Sequence, residues 1–190
     1  MERVFFSNEI KLSDDQGRQV IEGYAAVYDV LSDDLGGYRA RIKRGAFSEA
    51  LNNPSLDCRA LFNHSRDYVL GRTTNGTLLL TEDEKGLRYR IYPPDTSYAK
   101  DLLASMSRGD INQSSVGFNF YEKDVKWETV GGERVQTFTK CAELIDVSPV
   151  TVPAFSDTEA TIKRFQKEER NKREQKLRML ANRVRLALSV

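Results

Sequence analysis

Asn112-Gln113-Ser114-Ser115-Val116-Gly117-Phe118-Asn119-Phe120 reads as a β-strand with two unlike faces. Side chains alternate across a strand, so Ser114, Val116, Phe118 and Phe120 share one face, suited to a core. Ser115, Gly117 and Asn119 share the other, which is small and polar. A serine there, beside a glycine that carries no side chain, has open space for a substrate backbone. A half-exposed strand with small polar residues fits the same pattern.

Working outward, Leu144-Ile145-Asp146-Val147-Ser148 sets an acid in an otherwise apolar strand that runs to Val152 and stops at Pro153. A carboxylate in such a run needs a partner, either a base that it orients or an arginine in a structural salt bridge. Glu143, on the opposite face of the same strand, is the reserve candidate. Upstream, Arg59 to Asn63 predicts a short strand with His64 at its end, where Leu61-Phe62 gives way to a polar loop. His64 is the only histidine, so any imidazole chemistry must use it. Its position alone also fits an ordinary surface histidine.

The rest of the body reads mainly as strands. Residues 20–30 are rich in β-branched and aromatic residues, and Tyr38 to Ile42 alternates after the Gly36-Gly37 turn. Thr77–Thr81 and Leu87–Tyr92 flank a polar run as a hairpin does, and Gly131-Gly132 marks another hairpin turn. Two helices are expected, one over Gly45–Leu51 and one capped by Ser97 and ended at Arg108-Gly109. The expected fold class is therefore α+β, mainly β, with a barrel-like sheet and a few flanking helices.

Composition bounds the classes of function. The chain has 190 residues, 39% hydrophobic and 30% charged, enough for one core with a solvated appendage. It has no apolar run long enough for a membrane span, and Met1–Ile10 lacks the apolar stretch of a secretory signal. Cys58 and Cys141 are two isolated thiols, matching neither a disulfide framework nor a zinc site, so no metal or cofactor is expected. These features describe a soluble protein of a reducing cytoplasm.

The net charge of +1 conceals an asymmetry. Thr161–Val190 holds ten Lys/Arg against three Asp/Glu, about +7, which leaves about −6 on the body. From Glu159 to Leu188 no Gly or Pro interrupts a helix, so the expected division is a body over 1–158 and a basic helical tail over 159–190. The acidic body and the single aromatic of the tail, Phe165, disfavour nucleic acid as a partner.

Five short motifs occur in an order that resembles the prohead (capsid maturation) serine proteases of tailed phages, a family related in fold to herpesvirus assemblins. They are Gly23-Tyr24-Ala25-Ala26-Val27-Tyr28, Arg44-Gly45-Ala46-Phe47, and Asn63-His64-Ser65 followed by Leu70-Gly71-Arg72. Ser115-Val116-Gly117-Phe118 and Asp146-Val147-Ser148-Pro149-Val150-Thr151-Val152-Pro153-Ala154 complete the set, covering about residues 20 to 160.

The resemblance implies a serine endopeptidase with Ser115 as nucleophile, His64 as general base and Asp146 as the third member. Asp stands where many relatives carry Glu. The implied chemistry is acyl transfer: His64 takes the Ser115 proton during attack and returns it to the leaving amine, while Asp146 holds the imidazole tautomer. Implied substrates and partners are the major capsid protein, scaffold segments and the chain itself, by autocleavage and as a homodimer. The implied place is the assembling prohead in the host cytoplasm. A non-catalytic capsid-assembly or scaffolding protein with the same fold is the alternative.

Overall fold

The computed structural model describes residues 2–6, 10–32 and 34–151. The expected tail, 159–190, lies outside the described residues. The first strands are β1 (Glu2–Phe6), β2 (Ile10–Asp15), β3 (Arg18–Val27) and β4 (Arg39–Ile42), followed by the short helix α1 (Ser48–Leu51). Next come β5 (Arg59–Phe62), β6 (Ser65–Arg72), β7 (Leu78–Glu82) and β8 (Gly86–Ile91), then helix α2 (Ser97–Arg108). The last four strands are β9 (Gln113–Asn119), β10 (Val125–Val130), β11 (Glu133–Phe138) and β12 (Glu143–Val150).

The strands form three sheets, ordered β1-β9-β12-β5-β6, β2-β3-β8-β7 and β10-β11-β4. This corrects the barrel-like expectation: each sheet is open, and none closes on itself. Pairing is antiparallel except at β12/β5 and β11/β4. The alternation read in the sequence reports which faces are apolar, but closure depends on strand tilt and stagger, which alternation does not encode.

The core-facing side of β9 is the one expected. Val116 and Phe118 are buried, and Phe118 packs edge-on against Phe47 at 5.8 Å and Phe138 at 5.3 Å between ring centroids. Such edge-to-face contacts suit the aromatic quadrupole, and burial of each ring contributes about 1.5–3 kcal/mol. Ser114 points the same way and shares a 2.5 Å hydrogen bond with the hydroxyl of the fully buried Tyr89 on β8. The four-stranded sheet thus covers one face of β9 and leaves Ser115 on the other.

Helix α2 buries Ala99, Leu102 and Met106 and ends at Gly109, whose φ of 83° is the left-handed cap that glycine adopts without strain. Its N-cap is Thr96, one residue before the Ser97 expected from sequence, and no side chain caps it. No helix among the described residues is long and apolar enough to cross a membrane.

Candidate active site

His64 is placed by a hairpin rather than by the loop expected. Phe62 of β5 pairs with Ser65 of β6, so the turn contains just Asn63 and His64. Both have positive φ, 52° and 55°, the signature of the type I′ turn that matches strand twist. Asn tolerates this region well; His pays more, so the turn needs anchoring. Asn63 supplies it: its N–H donates to the Pro149 carbonyl at 3.0 Å, and its Oδ1 accepts from Thr151 N–H at 2.9 Å and Thr151 Oγ at 3.3 Å. The end of β12 therefore holds the turn that carries the imidazole.

Ser115 and Asp146 lie on neighbouring strands. β12 runs antiparallel to β9, with Ser148 opposite Ser115 and Asp146 opposite Gly117, past a register shift between Leu144 and Asp146. The turn brings His64 over these residues. Its Nε2 is 2.7 Å from Ser115 Oγ and its Nδ1 is 2.5 Å from Asp146 Oδ1. A carboxylate only accepts, so Nδ1 carries the proton and Nε2 accepts from the serine hydroxyl. Ser115 has no solvent exposure, and the His64 and Asp146 side chains are 5% and 2% exposed. In so dry a setting each of these polar contacts is stronger than it would be in water.

The structure brings His64, Ser115 and Asp146 together and leaves Glu143 out. Glu143 sits at the exposed start of β12, where its carboxylate accepts from Asn119 Nδ2 at 2.8 Å. Nor does Asp146 make, with any arginine among the described residues, the salt bridge that was its other reading. Arg59, opposite it on β5, turns its guanidinium to Asp57 at 3.1 Å.

Two features of the site are not those read from the sequence. The space beside Ser115 is filled, because a Cβ on Gly117 would fall 2.4 Å from Asp146 Oδ2 and 3.1 Å from its Cγ. The missing side chain accommodates the carboxylate, not a substrate backbone. Ser148, fully buried, donates to Asp146 Oδ1 at 2.7 Å. The sequence signal for it was the Asp-x-Ser spacing, which places both side chains on one face of a strand.

The two thiols of the chain are inert. Burial, with the Asp146 charge adding to it, pushes the Cys58 thiol far above its ordinary range. Burial raises Cys141 to about 12. Neither thiol is a nucleophile near neutrality. Among the described residues no group of three or more His, Cys, Asp and Glu side chains is arranged to hold a metal ion.

A buried carboxylate, an imidazole and a hydroxyl linked in that order have the arrangement of a serine-hydrolase relay. The chain belongs to the caudovirus prohead serine protease family, which it matches over residues 7–173. It is similar to the prohead protease of Enterobacteria phage HK97, with 34% identity over 152 residues, which cover 79% of this chain and 62% of that relative. The chain thus covers less than two thirds of the length of this curated relative. No solved structure matches it.

Proposed function

We propose that this chain is a serine endopeptidase of phage capsid maturation, with Ser115 as nucleophile, His64 as general base and general acid, and Asp146 as the orienting carboxylate. The observation that carries the reading is the continuous hydrogen-bonded path from Ser115 Oγ through both ring nitrogens of His64 to Asp146 Oδ1. A serine hydroxyl is a weak nucleophile, and a base in hydrogen-bond contact is what activates it. As Oγ attacks a peptide carbonyl, its proton passes to Nε2. The resulting imidazolium is stabilised by Asp146 and gives the proton to the leaving amine. Water then repeats the cycle on the acyl-enzyme. The non-catalytic scaffolding alternative is not favoured, since nothing in it calls for this path.

Family membership supports proteins of the assembling prohead as substrates: scaffold segments, an extension of the major capsid protein, and the chain itself. An assemblin-like origin of the fold belongs to the same proposal, and superposition of a solved structure on an assemblin tests it. Residues 159–190, with their excess of basic charge, are proposed to dock the protease on an acidic assembly partner or to be removed by self-cleavage. A chain ended at Thr158 is expected to keep peptidase activity and to enter particles poorly. Undiminished incorporation counts against docking.

Co-expression with the phage's capsid protein, followed by intact-mass measurement, tests the activity. Ser115→Ala and His64→Ala should each slow processing by about 10³-fold or more. Processing at the normal rate in both variants would overturn the reading.

A further inference from the structure

We propose that Ser148 is a positioning residue for the relay, fixing the Asp146 carboxylate by donating its hydroxyl proton to Oδ1, the oxygen that also receives His64 Nδ1–H. The inference rests on the catalytic reading above and assigns a role to a residue outside the three.

Asp146 and Ser148 are two apart on β12, so their side chains rise from the same face of the strand. The Ser148 hydroxyl is fully buried and lies 2.7 Å from Oδ1, while His64 Nδ1 approaches the same oxygen at 2.5 Å. On the other side Oδ2 lies over Gly117, in the space a Cβ would take. The carboxylate is thus held between a donor and a bare stretch of backbone. The imidazole it must orient stands on a two-residue turn in the left-handed region, so its ring is aligned by the partners of its two nitrogens.

Ser148 also acts on charge. A donated hydrogen bond draws electron density from the carboxylate, which moderates its hold on the imidazolium. Among the described residues, titratable groups that interact with Asp146 include His64, from the β5–β6 turn, and the Cys58 thiol, which burial keeps protonated. The Arg59 guanidinium is engaged by Asp57. Removing the Ser148 hydroxyl therefore leaves a less constrained carboxylate facing the imidazole.

The test uses the full chain and two readouts. One is the rate at which a fluorophosphonate labels Ser115; the other is the NMR titration of the imidazole, unambiguous because His64 is the only histidine. Both are followed from about pH 5 to about pH 9. Ser148→Ala should label about tenfold to hundredfold more slowly, the fold-change that loss of one charge-assisted hydrogen bond brings. The pH dependence of its imidazole signal should differ from that of the wild type. Ser148→Thr, which keeps the hydroxyl, should recover most of the rate. Ser114→Ala removes an equally buried hydroxyl bound to Tyr89 on the opposite face, and should lower the melting temperature yet label at the wild-type rate.

Labelling of Ser148→Ala at the wild-type rate with an unmoved midpoint would overturn the proposal. So would adduct mapped to Ser148, or a rate loss that Ser148→Thr shares while the midpoint stays put. Failure of the wild type to label at Ser115 would instead overturn the catalytic reading, and this role with it.

Discussion

Replacing Gly117 with alanine puts a methyl group where Oδ2 of Asp146 now sits, at 2.4 Å. Backbone on both strands is held by the sheet, so the carboxylate must yield by rotating away from His64. A displacement of about 1 Å in a positioned group costs about 10²-fold in rate. Gly117→Ala is therefore expected to lower kcat by about that factor, with KM little changed, while the melting temperature falls by only a few degrees. Steady-state kinetics on a capsid-derived peptide, with calorimetry on the same sample, checks it, and an unchanged kcat would mean that the acid does not orient the base. The alternation of β9 told Ser115 from Ser114 because period-two patterning is a local property. What fills the space over Gly117 is not local, since it depends on which residue of β12 lies opposite. Single-sequence reading cannot supply that register, whereas the Asp146–Ser148 contact is local to β12 and its spacing was already present in the sequence.

Among the elements, the β3/β8 pair carries a charge cluster with a definite pH signature. Glu22 lies opposite Arg90, its Oε1 paired with Arg90 Nε and its Oε2 3.2 Å from Arg88. Burial alone would raise the Glu22 carboxyl, but the two guanidinium groups outweigh it and hold the carboxyl below its ordinary value. A group depressed in the folded state stabilises above its unfolded value and loses that contribution as pH falls through the folded one. The melting-temperature gap between wild type and Glu22→Gln should thus be widest near neutrality and close at pH values below the ordinary carboxylate range. A gap independent of pH would show that packing, not charge, is responsible.

Strands with strong alternation or β-branched runs, such as β3, β8, β9 and β12, were legible because half-buried sheets impose that pattern. The edge strand β6 was not. Four of its eight residues, Arg66 to Val69, are exposed, so no apolar period marks it. The turn before it uses Asn-His in place of the Asn-Gly that signals a tight hairpin.

At the scale of the molecule, the three site residues come from distant parts of the chain. His64 is 51 positions from Ser115 and 82 from Asp146, and they meet only when β9, β12 and the β5–β6 hairpin are assembled. Their hydrogen-bonded path should therefore persist as long as the five-stranded sheet does, and no longer. The only tryptophan, Trp127, reports on another sheet, where it stands on the edge strand β10 against Tyr38 at 5.3 Å and under the Arg134 guanidinium at 4.2 Å. That sheet is tied to the site through Phe138 of β11, which packs on Phe118 at 5.3 Å and Phe120 at 4.8 Å. Buried aromatic contacts of this kind make the inner strand of the hairpin part of the common core, so the two sheets should unfold as one cooperative unit. In a urea titration, Trp127 fluorescence and fluorophosphonate labelling of Ser115 are expected to give coincident midpoints. If Trp127 changed at clearly lower urea while labelling persisted, the three-stranded sheet would be a unit that opens on its own, and the aromatic bridge through Phe138 would not couple it to the site.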